Sequence, residues 1–314
     1  MKAKSSPNLK LLLLLVPIVV VAISGCTGTS DSGATFGTGI AILNWEPTFS
    51  SGLESGDSLQ FRLRVQNQGE VTAVEVTPVI TGIVPEDWGL PTSQFYGYGI
   101  GQSFDMMPPN RIQNTPGEIR QETYDARAPS LPFGVTQTFT PQIRVYYTYR
   151  TTASKLITLV NEQELKRLQD KGQTLSSKDT VSSAGPLKVT INAGKFLKSK
   201  DVGVSRAFPI TVDIQNVGGG VVSTMNQPEM DYVVDIAFQT TSGRLTLSGC
   251  QNQNTQGGVT LWKGQSATVT CTATIGQVLA TEEANIKVVL DYDYYVDAST
   301  AVTVTGTEEG YYIG

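Results

Sequence analysis

Two stretches of this chain repeat one pattern, a β-strand that runs into a fixed turn. FRLRVQNQG at 61–69 alternates, with Phe61, Leu63 and Val65 on one face and Arg62, Arg64 and Gln66 on the other. ITVDIQNVG at 210–218 repeats the pattern with Ile210, Val212 and Ile214 and ends in the same Gln-Asn-X-Gly. A period of two sends one face of a strand into a core and the other into water. A second pair of copies follows, Tyr147-X-Tyr149-X-X-X-Ala153-Ser154 and Tyr292-X-Tyr294-X-X-X-Ala298-Ser299. A third match sets Gly134-Val135-Thr136 against Gly264-Gln265-Ser266. Repeated features in one order predict two copies of one unit. Strands with a single apolar face must be covered by another layer, so the expected fold class is all-β, with two β-sandwich domains at 39–160 and 186–306.

The joint between the copies is predicted to hold the one helix. Asn161 followed by Glu164 makes a start resembling a capping box, Leu165 and Leu168 make a short apolar stripe, and Gly172 stands where a helix stops. With the polar linker that follows, this joint spans 161–185. Residues 307–314 form a tail. Pro78, inside the alternating 71–82, predicts an edge strand or a bulge there.

Alternation fails between 85 and 134, which carries seven prolines and reads as a long insertion in the first domain. Trp88, Phe95, Tyr96, Tyr98, Phe104, Met106 and Met107 fall within it. Aromatic and methionine side chains on a loop platform have the composition of a protein contact surface. The alternative is that they pin the loop to its own sandwich as a satellite core.

The N-terminus places the chain. Lys2, Lys4 and Lys10 precede an apolar run at 11–23, too short to cross a bilayer comfortably but of the length of an export signal. The run ends in Ile-Ser-Gly-Cys at 23–26, which resembles the lipobox of lipoproteins. That resemblance implies removal of 1–25, a lipid on Cys26 and a chain held on the outer face of the cytoplasmic membrane. Residues 26–38 would then be a flexible, lipid-anchored spacer. Cys250 and Cys271 remain as an even pair in a compartment that permits disulfides; the alternative is two free thiols, one buried and one near the surface.

Several chemistries are disfavoured. Histidine is absent, which removes Ser-His-Asp and Cys-His arrangements and the commonest metal ligand. The net charge is −5 and no basic block occurs, so a nucleic-acid partner is not expected. Glu118 and Glu122, with Tyr96, Tyr98 and Tyr124, are the remaining carboxylates and aromatics for a glycosidase, and their spacing does not favour one. Asp291, Asp293 and Asp297 share one strand face, but carboxylates two apart along a strand do not wrap a calcium ion. They read as a solvated acidic face. The expectation is a chain without catalytic, cofactor or metal residues.

Strands ending in V-x-N-x-G or its like, LRVQNQG at 63–69 and VDIQNVG at 212–218, precede tyrosine-rich strands at 145–150 and 290–295. This order resembles the immunoglobulin-like β-sandwiches of cell-surface adhesion modules, in particular the CARDB type of bacteria and archaea. The glycine- and threonine-bearing spacer after the cysteine resembles that of archaeal surface lipoproteins. The resemblance implies a non-enzymatic surface lipoprotein, a protein-binding or adhesion module. The alternatives are a structural envelope or filament component that self-assembles through sheet edges, and a lipoprotein accessory to a transporter.

Overall fold

Apolar-polar alternation becomes strand pairing wherever the structure describes the chain. The computed structural model describes residues 37–90, 103–199, 206–225, 227–254 and 257–307, which form nineteen strands and one α-helix. The export segment, Cys26, most of the spacer, Phe95, Tyr96, Tyr98 and the tail beyond 307 lie outside the described residues. The first half holds β1 (Ile40–Pro47), β2 (Leu53–Glu54), β3 (Ser58–Asn67), β4 (Ala73–Thr81), β5 (Phe104–Met106), β6 (Ile119–Arg127), β7 (Thr136–Phe139) and β8 (Gln142–Asn161). Helix α1 (Glu162–Asp170) follows, then β9 (Val181–Ser182), β10 (Leu187–Asn192), β11 (Leu197–Ser199) and β12 (Arg206–Asn216). The remainder is β13 (Val221–Val222), β14 (Val233–Thr240), β15 (Leu245–Gln251), β16 (Gly258–Thr260), β17 (Ser266–Ile275), β18 (Thr281–Ser299) and β19 (Val302–Thr305).

The architecture is all-β and multi-sheet. A nine-stranded sheet runs β16-β14-β18-β8-β4-β5, with β9, β11 and β13 added at its flanks. Three smaller sheets are ordered β1-β3-β6, β10-β12-β17-β15 and β2-β19-β7. The axis of the large sheet is the antiparallel β8–β18 ladder, unbroken from Gln142 opposite Ser299 to Val160 opposite Thr281. Each of these strands comes from one repeat, so the halves share a sheet as well as the covalent connection through α1. Both flanking sheets cover the same face of the ladder. Gly39, just before β1, packs on Tyr147, while Thr151 donates to the Leu187 carbonyl at the start of β10. The buried apolar side chains of both halves form one continuous cluster.

The duplication is visible in strand order, for β3 lies between β1 and β6 as β12 lies between β10 and β17. It also corrects the third sequence match. The Asn67 N–H donates to the Glu118 carbonyl and the Asn216 N–H to the Gln265 carbonyl. The counterpart of Gly264-Gln265-Ser266 is therefore Gly117-Glu118-Ile119, not Gly134-Val135-Thr136. Segment 85–134 thus contains a strand of the sandwich, because β6 pairs with β3 from Arg127 opposite Ser58 to Ile119 opposite Gln66. IRQETYDAR shows no apolar period because β6 is an edge strand, and Ala126 is its one buried residue.

Local signals resolve as their chemistry requires. Pro78 sits beside a bulge in β4, where the register shifts between Val74 and Thr77 and Glu75 takes a φ of 54°. The Asn161 side chain caps α1 by accepting from the Gln163 N–H at 2.8 Å. Glu164 does not complete a capping box; it pairs instead with Arg167 one turn on. Leu165 is buried, and Gly172, at a φ of 69°, ends the element.

Candidate interaction surface

The two repeats meet about an internal two-fold axis made of tyrosine. Tyr147 stands opposite Tyr294 and Tyr149 opposite Tyr292, with ring centres 5.8 and 6.2 Å apart. Each repeat also ties its tyrosine strand to its Gln-Asn-X-Gly turn. The Val71 N–H donates to the Tyr149 hydroxyl at 3.2 Å, and the Gly220 N–H to the Tyr294 hydroxyl at 3.0 Å. Both donors lie four residues after the motif asparagine. Asn67 accepts from Gly69 and donates to the Val71 and Met106 carbonyls; Asn216 accepts from Gly218 and donates to the Gly220 and Gly264 carbonyls. The motif glycines are needed for approach, since a Cβ on Gly69 would lie 1.9 Å from the Tyr149 hydroxyl and one on Gly218 2.4 Å from that of Tyr294. Burial pushes Tyr149 and Tyr294 up to about 12 and holds Tyr147 and Tyr292 well above the ordinary phenol value. The cluster is a neutral structural seam near pH 7, with no group poised to exchange a proton.

One hydroxyl of the seam breaks the symmetry. Tyr292 and Thr151 share a hydrogen bond at 2.8 Å. The repeat offset that maps Tyr147 onto Tyr292 maps Thr151 onto Val296, so Tyr147 meets a methyl where its twin meets a hydroxyl. The Tyr147 hydroxyl approaches the Ile40 backbone but completes no hydrogen bond of good geometry. Tyr147 and Val296 line one cavity of about 240 Å3. Val296→Thr is expected to raise stability by about 1 kcal/mol by supplying the missing partner. A urea midpoint unchanged from wild type would show that the hydroxyl is already satisfied.

The opposite face of the ladder is polar and internally paired. Arg150 meets Asp291 at 2.6 Å, and Asp293 accepts from Thr148 and Thr224 at 2.7 and 2.9 Å. Arg144 lies 3.7 Å from Asp297 and 4.0 Å from the centre of the Tyr295 ring. The three aspartates are therefore committed to cross-strand and local partners, spread along the face rather than gathered about one point. Glu118 is committed too, accepting from the Met107 N–H at 3.0 Å beside Arg120.

The candidate contact residues of 85–134 divide by burial. Trp88 is 1% exposed, ending a short 3₁₀ turn and packed between Phe61 and Phe139 at 5.7 and 5.3 Å. Met106 is 0% exposed. Both belong to the continuous buried cluster rather than to a satellite of it. Phe104 is half-buried beneath the Arg120 guanidinium, 4.1 Å from the ring centre. Among the described candidates only Met107, 60% exposed, stands well out into solvent.

A residue outside the candidate set joins it. Ile112 is 98% exposed at the tip of a hairpin that Asn110 and Thr115 close with two reciprocal 3.0 Å backbone hydrogen bonds. The Asn110 carboxamide oxygen accepts from the Ile112 and Gln113 N–H groups at 3.0 and 3.1 Å, and Pro108, Pro109 and Pro116 flank the turn. Met107, Pro109, Ile112 and Pro116 border an open groove of about 700 Å3. The sequence signal was a lone isoleucine between Arg111 and Gln113 in a proline-framed polar turn, which hydrophobic periodicity does not register.

Cys250 and Cys271 are bridged. The bridge joins β15 to β17 where their register shifts between Ser248 and Gln251, the bulge that turns Cys250 toward the buried Cys271. Comparison with protein-family models and with curated proteins finds no match to the chain.

Proposed function

We propose that this chain is a non-enzymatic lipoprotein of the cell surface, anchored through Cys26, whose duplicated sandwich presents a protein contact at the 107–116 hairpin. The observation that carries the reading is Ile112, an aliphatic side chain almost wholly in water on a backbone pinned at both ends and stiffened by proline. A preorganised loop loses little conformational freedom on binding, so an exposed anchor there is put to use efficiently. Met107 extends the apolar surface beside it. The lipobox-like Ile-Ser-Gly-Cys and the Cys250–Cys271 bridge support an exported location. The tyrosine-to-backbone tie in each repeat supports an immunoglobulin-like ancestry of the CARDB type for each half.

Assembly through sheet edges is the weaker reading because the edges are blunted. The nine-stranded sheet ends in three-residue strands, β5 and β16. Of the longer edge strands, β1, β6, β10 and β15, β6 bears Arg120, Glu122, Asp125 and Arg127, and β1 carries Glu46 and ends in Pro47.

The test uses full-length protein extracted from membranes with detergent. Its intact mass should begin at Cys26 and include added lipid, and pull-down should recover a protein partner. Ile112→Arg is expected to weaken that capture about tenfold or more while leaving the urea midpoint within about 0.5 kcal/mol of wild type. Capture that Ile112→Arg does not alter, or an unmodified N-terminus starting at Met1, would sink the corresponding part of the reading.

A further inference from the structure

We propose that the turn at 261–266 carries a second binding site, specific for a neutral saccharide, with Trp262 as the platform on which a sugar ring stacks. The site is independent of the hairpin contact and lies on the other repeat. Trp45 and Trp88 are buried, whereas Trp262 is 74% exposed. An indole left in water on a well-formed turn calls for an explanation, because tryptophan is on average a highly buried residue.

Backbone hydrogen bonds fix the turn that carries the ring. The Trp262 N–H donates to the Ser266 carbonyl at 2.7 Å, and the Gln265 N–H to the Trp262 carbonyl at 2.9 Å. Leu261 beneath is buried and donates to the Tyr232 carbonyl at 2.8 Å. Gly264 is packed against the Tyr232 ring, which a Cβ would approach to 2.8 Å. Left-handed backbone also concentrates here. Of the five non-glycine residues with positive φ among those described, Tyr232 (66°), Asn252 (68°) and Lys263 (50°) surround this turn and its groove. Such conformations cost energy and persist where the surroundings enforce them, a pattern that gathers at ligand sites.

The lining identifies the chemistry. Beside the indole is a concavity of about 330 Å3 bordered by Asn252, Thr260, Ser266 and Thr268. Its polar groups are hydroxyls and one carboxamide, and no lining residue carries a formal charge. Asn252 is oriented by donating from Nδ2 to the Thr268 carbonyl at 2.8 Å, and it follows Cys250 by two residues, so the disulfide braces that wall. A pyranose ring offers a flat face of C–H groups, weakly positive, and a rim of hydroxyls. The negative π-face of an indole attracts the first. The Thr260 and Ser266 hydroxyls and the Asn252 carboxamide match the second, while the Thr268 hydroxyl already donates to the Asp213 carboxylate at 2.7 Å. The one charge beside the platform is the Lys263 ammonium, 5.9 Å from the centre of the indole ring and outside the concavity, and an apolar peptide would find only Val259 and Ala267 in the wall. The equivalent turn of the first repeat bears the Ile112 hairpin, so the duplicated loop offers two different chemistries from one scaffold.

Tryptophan emission tests the proposal directly, because the other two tryptophans are buried and a ligand-dependent change reports on Trp262. Purified protein is titrated with cellohexaose, maltohexaose, mannohexaose and chitohexaose. At least one should quench and blue-shift the emission saturably, with binding confirmed by calorimetry. Trp262→Ala should weaken that binding about tenfold or more, Trp262→Tyr should retain part of it, and Asn252→Ala should reduce it severalfold. Unaltered circular dichroism and urea midpoints in Trp262→Ala keep the comparison one of binding rather than folding. Saturable binding that Trp262→Ala leaves unchanged overturns the proposal. So does a failure of every sugar to bind, including the case in which a casein peptide digest shifts the emission.

Discussion

Between pH 10 and 11 the protein is expected to lose about 4 kcal/mol of folding stability. Tyr147, Tyr149, Tyr292 and Tyr294 sit together in the seam, and burial raises the pKa of each above the ordinary 10.0. In the unfolded chain these phenols ionise near pH 10, whereas burial keeps Tyr149 and Tyr294 protonated until about 12 and holds Tyr147 and Tyr292 well above the ordinary value. The unfolded state therefore binds fewer protons across this window, and stability falls as pH rises. Below pH 10 the contribution is fully present. Each tyrosine costs about 1 kcal/mol over that pH unit, and the four act together because they share one seam. The loss is a large fraction of the 5–15 kcal/mol or so that holds a typical domain. Urea midpoints measured at half-unit steps from pH 8 to 11 check it, alongside the phenolate absorbance of the folded protein. Stability that stays level to pH 11, with four phenolates appearing in the folded state, would show that the seam is open to water.

The duplicated motifs predicted the seam's residues without predicting that they would meet. Period-two alternation in β3, β12 and β14 assigns each side chain to a face, and the burial of Phe61, Leu63, Val212 and Val234 follows it. Nothing local says which strand lies beside which. The Tyr-X-Tyr copies at 147 and 292 read as equivalent parts of separate units, and only the β8–β18 register shows them facing one another across a two-fold axis. The same axis explains a difference between the copies. Asp291 and Asp293 of the second repeat correspond to Tyr146 and Thr148 of the first, yet they stand opposite Arg150 and Thr148. Identical repeats would place like against like only at Thr148, the position that faces its own copy, and divergence has set Asp293 there instead.

What escaped the sequence escaped for physical reasons. β6 gives no apolar period because its inward face carries Arg120, Glu122 and Tyr124, only half-buried at the sheet edge, before Ala126. For Trp88 and Met106, composition left contact surface and satellite core both open, because aperiodic proline- and glycine-rich chain does not say which side chains turn inward. A single exposed apolar side chain such as Ile112 or Trp262 has no period and so leaves no such signal. The disulfide was legible because an even pair of cysteines behind an N-terminus that resembles an export signal leaves few choices.

The asparagine of the Gln-Asn-X-Gly motif illustrates the gap between a turn and its energetics, and its removal is the second large effect expected. Asn67→Ala should destabilise the protein by about 3 kcal/mol or more. Asn67 is fully buried, and its carboxamide satisfies three backbone groups: the Gly69 N–H at 3.0 Å, and the Val71 and Met106 carbonyls at 2.9 and 2.8 Å. Alanine leaves all three without partners in a place where water does not easily follow, and the cost is their desolvation rather than the modest net worth of a hydrogen bond. The Met106 contact also ties the strand to β5, so the loss should loosen the connection that leads into the Ile112 hairpin. Asn216→Ala removes the equivalent set but from a half-exposed position, where water can replace the Gly220 and Gly264 contacts. Its cost should be smaller, about 1–2 kcal/mol. Guanidinium unfolding of the two variants measures the difference. Equal losses would mean that burial does not set the cost, and that the second site depends instead on the extra hydrogen bond that the Tyr294 hydroxyl donates to Asn216 Oδ1 at 2.9 Å.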